Sequence, residues 1–217
     1  IILGSEHGRY DSEKYPDNQS KSAKLVEKVW EAQFMPKALL IIDYTNDFVA
    51  DDGALTVGKP AQQLDSYLTE LAEHFYKNGD YIIFPTDAHH LHDPFHPESK
   101  LFPPHNIIGT PGRTLYGKVG EWFQDHQDSE RVYQFAKNRY SSFQNTNLDN
   151  YLCERHITNL WISGVCTDIC VLHTAIGAYN LDYQLTIPKR GVATFTPHGD
   201  EWAFDHFKNS LGATIVE

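Results

Sequence analysis

Ala38-Leu39-Leu40-Ile41-Ile42 is an unbroken apolar run that stops at a charge, Asp43. A strand with one wet face would alternate, and the run is short for a helix. It suits a strand covered on both sides, as in a parallel sheet with helices on each face. Further short strand-like runs follow at Tyr81 to Pro85, Arg131 to Phe135, Leu160 to Ser163, Gln184 to Ile187 and Thr214 to Val216. Between them lie segments with helical spacing: Leu64, Tyr67, Leu68, Leu71, Ala72 and Phe75, closed by Asn78-Gly79, then Leu148 to Arg155, Thr167 to Asn180 and Asp200 to Ser210. Strands alternating with helices predict an α/β fold. It is a doubly wound, mostly parallel six-stranded sheet with helices on both faces, a Rossmann-like three-layer arrangement with right-handed crossovers. In such sheets ligands lie beyond the carboxyl ends of the strands, where strand order reverses.

The first part of the chain has a different character. Gly4 to Ser20 are polar and broken by Gly and Pro, and Ala23 to Phe34 carry Leu25, Val26, Val29 and Trp30 at the spacing of a short amphipathic helix. Met35, the only methionine, directly precedes the first apolar run and reads as a native start. The expected organisation is therefore residues 1–34 as a fused segment or N-terminal extension and residues 35–217 as the α/β domain. Three cysteines in a chain of 217 residues argue against a disulfide framework and for a reducing compartment. No apolar run approaches the roughly 20 residues that span a bilayer, and no signal pattern opens the chain. A cytoplasmic protein without membrane contact is expected. A net charge of −11, with the acidic residues scattered, excludes the basic face that nucleic acid requires. The expected partner is a small molecule, and self-association into a homo-oligomer is allowed.

The strand ends carry the chemistry. Asp43 ends the first run, Asp87 and His89 follow the second, Lys137 follows the third, and Cys170 lies just beyond the fourth, at the start of a helix. A thiol in a first helical turn meets unpartnered backbone N–H groups and the positive end of the helix dipole, which favour thiolate. Asp43 can serve as its base, Lys137 as the cation that holds the anions, and the turn before the helix as a source of N–H groups for an oxyanion. Neither G-x-S-x-G nor G-x-G-x-x-G is present to suggest other chemistry.

The stretch from Thr86 to Ser129 holds Pro94, Pro97, Pro103, Pro104 and Pro111 and is expected to be mostly loop, with a short helix near Val119 to Phe123. Five of the twelve histidines fall between His89 and His105. Asp87 and His89, two apart, point the same way on an extended backbone, and Glu98 and His105 sit where a proline-rich loop can return them to that point. Two imidazoles and two carboxylates suit Zn²⁺, Mn²⁺ or Fe²⁺. By spacing alone His90, His92 and His96 are equally eligible.

Taken together, Ile41-Ile42-Asp43-Tyr44-Thr45-Asn46-Asp47-Phe48, Thr86-Asp87-Ala88-His89, His96-Pro97-Glu98-Ser99, Phe102-Pro103-Pro104-His105 and Gly164-Val165-Cys166-Thr167-Asp168-Ile169-Cys170-Val171 resemble the isochorismatase-like cysteine hydrolases, and within them the nicotinamidases. The resemblance runs from about Lys37 to Val216. It implies a catalytic triad of Asp43, Lys137 and Cys170 and one divalent metal ion on Asp87, His89, Glu98 and His105. It also implies a cis peptide between Val165 and Cys166, with the backbone N–H groups of Cys166 and Cys170 facing the oxyanion, and substrate walls from Phe48, Phe102 and Tyr140. The implied reaction is hydrolysis of nicotinamide to nicotinate and ammonia through a cysteine thioester, in NAD salvage. Another amidohydrolase of the superfamily, acting on a different amide or carbamoyl group, is the nearest alternative, and a non-catalytic metal-stabilised binding protein a remote one. Residues 1–34 have no counterpart in the family.

Overall fold

A computed structural model describes residues 35–217; the amphipathic helix expected at 23–34 lies outside the described residues. Seven parallel strands form the sheet: β1 (Lys37–Ile42), β2 (Tyr81–Asp87), β3 (Val132–Lys137), β4 (Asn159–Val165), β5 (Gln184–Pro188), β6 (Val192–Ala193) and β7 (Thr214–Val216). The order is β3-β2-β1-β4-β5-β7, with β6 beside the end of β4. Every pairing is parallel, as the continuous apolar runs require. The six expected strands are all present. The addition is β6, whose Val192 and Ala193 pair with Gly164 and Val165; a two-residue strand is too short for any periodicity to register.

Successive residues of β1 serve opposite faces. Leu39 and Ile41 pack with Leu68, Phe75, Phe84, Trp122 and Phe123. These come partly from α1 (Asp65–Lys77) and α2 (Gly117–His126), which cover that face. Leu40 and Ile42 pack with Leu148, Leu152, Leu172, Ala175, Ala203 and Phe207, supplied by α3 (Leu148–Glu154), α4 (Leu172–Asn180) and α5 (Gly199–Asn209). The α2 helix is longer than its apolar core, Val119 to Phe123, had suggested, because its flanking turns are polar and carry no periodic signal.

Strand order reverses between β1 and β4, which lie side by side from Lys37↔Asn159 to Ile42↔Gly164. Gly164 has φ +107, and a Cβ there would run into the carbonyl oxygen of Ile42. Only glycine lets β4 leave the sheet this close to β1. Gly164→Ala should therefore cost about 3 kcal/mol or more, measured as a lowered urea midpoint at constant slope. An unchanged midpoint would show that the strands separate freely at that point.

Candidate active site

The carboxyl ends of β1, β2, β3 and β4 converge on one buried ion network. Asp43 follows β1 with φ 54, its N–H donating to Pro85 O at 3.0 Å and its Oδ1 accepting from the Asp87 N–H at 2.8 Å. Lys137, the last residue of β3, is buried with an exposure of 2%. Its Nζ lies 2.7 Å from Asp43 Oδ2 and 2.7 Å from Asp87 Oδ1, and it donates to Arg139 O at 3.2 Å and to Cys170 Sγ at 3.5 Å. The three residues expected to act together do meet. Asp87, read from the sequence only as a metal ligand, is also bound to Lys137.

Past β4 the Val165–Cys166 peptide is cis, and the chain then makes a π-helical turn, Thr167–Val171, before α4 begins. The Cys166 carbonyl accepts from the N–H groups of both Ile169 and Val171, each at 3.1 Å. Cys170 thus sits in a wide turn ahead of the α-helix, not in its first turn, because one carbonyl holds two amides and delays the regular ladder. Asp168 secures the turn from below, accepting from Thr194 Oγ1 at 2.6 Å.

Burial dominates the protonation states. It raises the Asp43 carboxyl to about 6, with the Lys137 charge opposing and the Asp87 charge adding to the rise. Asp87 is held below its ordinary value despite its burial, by the charge of Lys137 and by His89. Lys137 is raised well above its usual range because two carboxylates outweigh its desolvation. The Cys170 thiol is pushed well up, by burial above all and by Asp43 and Asp87, with Lys137 opposing. This corrects the expectation of a resting thiolate. One ammonium does not offset a dry site shared with two carboxylates, so the sulfur keeps its proton until a base takes it. Asp43, with a pKa near 6, is suited to that transfer near neutral pH.

Lys137→Met would leave both carboxylates buried without their cation. A loss of about 3 kcal/mol or more in unfolding free energy is expected, and Asp43→Asn in the same protein should restore part of it. A single variant as stable as its parent would show that charge does not hold the trio.

The second cluster lies against the first. One ligand atom from each of Asp87, His89, Glu98 and His105 falls within 4.8 Å of all the others, and all four residues are buried. Asp87 Oδ2 and His89 Nε2 approach to 3.2 Å, and His105 Nε2 lies 3.5 Å from Glu98 Oε2. Asp87 Oδ2, His89 Nε2 and His105 Nε2 are nonetheless buried without a hydrogen bond. Orphaned buried polar atoms are costly, and three converging on one point fit a bound cation as their partner. His105 Nδ1 lies 2.8 Å from the Pro103 carbonyl and so carries the proton, leaving Nε2 its lone pair. His89 is tied into place by a backbone bridge to Ile107, its N–H donating to Asn106 O at 3.1 Å.

The same geometry separates the five histidines. His96 donates from Nε2 to Asn138 O at 2.7 Å and accepts the Glu98 N–H on Nδ1 at 3.3 Å. Both its nitrogens are used, and what it does is present Glu98. His90 and His92 are exposed outside the cluster.

A narrow cleft opens onto both clusters, and Phe48, Phe102 and Tyr140 line it with Asp87, Glu98, His105 and Cys170. The ring centroids of Phe48 and Phe102 lie 5.3 and 6.2 Å from that of His105. Four further lining residues escaped the sequence reading in this role: Leu55, Ile169, Phe195 and the side chain of Cys166. Phe195 stands two residues past β6, so the Val192-Ala193-Thr194 run was the available signal. Leu55 had none. Asp47 belongs to the motif that follows β1, and its local sequence assigns it no task. Its carboxylate accepts from the Asn106 N–H at 2.7 Å and the Ala54 N–H at 3.3 Å, tying the loop after β1 to the segment that carries His105.

Comparison with known proteins places this arrangement among relatives. The isochorismatase domain family matches residues 37–217. An uncharacterized isochorismatase family protein of Bacillus subtilis is 49% identical over 183 residues, covering 84% of this chain and all of the relative. The crystal structure of a nicotinamidase/pyrazinamidase from B. subtilis superposes with a TM-score of 0.82 at 51% identity, covering 84% of this chain and 100% of that one. A pyrazinamidase of Pyrococcus horikoshii, solved in complex with zinc, is similar at 25% identity with a TM-score of 0.72, covering 83% of this chain and 98% of the other.

Proposed function

The chain belongs to the isochorismatase family, and from that premise we propose that it is an amidohydrolase that converts nicotinamide to nicotinate and ammonia. The observation that carries this reading is the sharing of Asp87 between the Asp43–Lys137–Cys170 network and the four-residue donor set. A thiol nucleophile alone would serve many amides. A cation site beside it selects a substrate with a lone pair at a fixed distance from its carboxamide, as a pyridine carboxamide has. Half identity to a nicotinamidase/pyrazinamidase across its whole length supports the same substrate.

In this reading Phe48, Phe102 and Tyr140 hold the ring and exclude water. Asp43 takes the proton of Cys170, and the sulfur forms a bond to the carboxamide carbon. The backbone N–H groups of Cys166 and Cys170 face the oxyanion, each donor contributing about 3 kcal/mol. Asp43 returns the proton to the leaving nitrogen, ammonia departs, and a thioester remains. The same carboxylate then draws a proton from water, which attacks the thioester and frees the carboxylic acid and the thiol. Lys137 keeps Asp43 and Asp87 in place throughout. Asp87, His89, Glu98 and His105 would hold one divalent ion, Zn²⁺ or else Mn²⁺ or Fe²⁺, which supplies a Lewis-acid point for the ring nitrogen.

Residues 35–217 are the hydrolase domain in this proposal and residues 1–34 an extension to it. The substrate is a small molecule, and a chain of net charge −11 is no partner for nucleic acid. Among the described residues no helix is long and apolar enough to cross a membrane. All three cysteines are free, Cys153 on the surface, which fits a reducing cytoplasm, and the proposed reaction would serve NAD salvage. The deciding experiment is ammonia release from nicotinamide with metal analysis of the same sample. Turnover with about one equivalent of metal is expected; no ammonia from metal-loaded protein would overturn the assignment.

A further inference from the structure

The donor set Asp87, His89, Glu98 and His105 is a wall between two cavities. On the inner side is the narrow cleft that holds Cys170. On the outer side is a pocket of about 130 Å³ lined by His89, His90, His92, His96, Glu98 and His105, among others. Glu98 and His105 face both cavities, Asp87 the inner one and His89 the outer one. His90 and His92 are exposed. A tight turn, in which the Asp93 N–H donates to His90 O at 3.3 Å, gathers them at the outer pocket. Neither belongs to the four residues whose ligand atoms meet within 4.8 Å.

The two routes to the donor set differ in chemistry. The inner one passes Phe48, Leu55, Phe102, Ile169 and Phe195, with Tyr140 and the thiols the polar groups short of the donor set, and a hydrated dication gains little there in exchange for its water. The outer one offers imidazoles in sequence, each able to exchange for one bound water before the buried carboxylates are reached. We infer that His90 and His92 form a loading port through which a divalent cation reaches Asp87, His89, Glu98 and His105 without passing Cys170. The inference rests on the metal reading given above. It assigns a task to two histidines that are neither catalytic nor ligands of the final site.

A port has a kinetic signature that a ligand lacks. A station visited on the way in is also visited on the way out, so its removal slows uptake and release by one factor and leaves Kd untouched. Loss of a true ligand changes Kd. The test uses protein stripped by a chelator, with zinc uptake followed in stopped flow by the loss of a chromophoric zinc–indicator complex and release by transfer to a stronger chelator. The double variant His90→Gln, His92→Asn suits the purpose because both sites are exposed and Asn tolerates the φ of 66 at position 92. Roughly tenfold slower uptake and equally slower release are expected, with Kd unchanged within error. Alkylation of Cys170 with iodoacetamide, in a Cys153→Ser background and verified by peptide mass, fills the inner cleft and is expected to leave uptake unchanged. Unaltered rates in the double variant, a shifted Kd, or uptake arrested by alkylation would each overturn the port. Failure of the stripped parent to take up any zinc would instead reject the metal site itself, and the port with it.

Discussion

Cys170→Ala is expected to lower kcat for ammonia release from nicotinamide by at least about 10⁴-fold, with the fold and the metal content retained. The Cys170 sulfur lines the cleft, and Lys137 Nζ lies 3.5 Å from it. Asp43, with a carboxylate oxygen within 4.8 Å of the same sulfur, is placed to take its proton. The side chain is buried among Val171, Leu172 and Ala175, so its loss opens a cavity of one sulfur atom, a small cost in a core of this size. Near-UV circular dichroism and zinc content should match the parent. Activity within tenfold of the parent would end the nucleophile assignment. Because burial and two carboxylates raise the thiol, Asp43→Asn should be nearly as damaging as the loss of sulfur, since the other carboxylate in reach, Asp87, is held below its ordinary value by Lys137 and His89 and is the weaker base.

The second large effect concerns the metal. His105→Ala, or chelation of the parent, is expected to lower kcat/KM for nicotinamide by about 10²-fold or more. His105 Nε2 is buried without a hydrogen bond, and Pro103 fixes its protonated nitrogen on the opposite side of the ring. Added zinc should restore the chelated parent and leave the variant impaired, which separates loss of the ion from loss of the ring that Phe48 and Phe102 pack against. Full activity in parent protein shown to be free of metal would reject the site. Cys170 alkylation should proceed in both samples, since the two clusters share Asp87 and not the thiol's own contacts.

Much of this site was legible in the chain because a parallel sheet gathers its chemistry at strand ends. Asp43, Asp87, Lys137 and Cys170 each stood at or just after a run of β-prone residues, and the alternation of strands and helices put those ends on one edge. Side-chain choice was less legible. Five histidines within seventeen residues carry no spacing that ranks them, and it took the carbonyl of Asn138, 42 residues from His96, to remove that ring from the ligand set. Phe195 and Leu55 enter the cleft from loops whose local sequence says nothing of where they return.

Local periodicity, then, determined the architecture and the strand ends where the candidate reactive groups stand, since burial on both faces of a strand is written in adjacent residues. Tertiary structure alone decided that Lys137 binds Asp43 and Asp87 together, that the thiol rests protonated, and that His96 supports while His105 is left free. These follow from contacts between residues 33 to 94 positions apart in the chain and from the exclusion of water, and neither is encoded in any window of sequence.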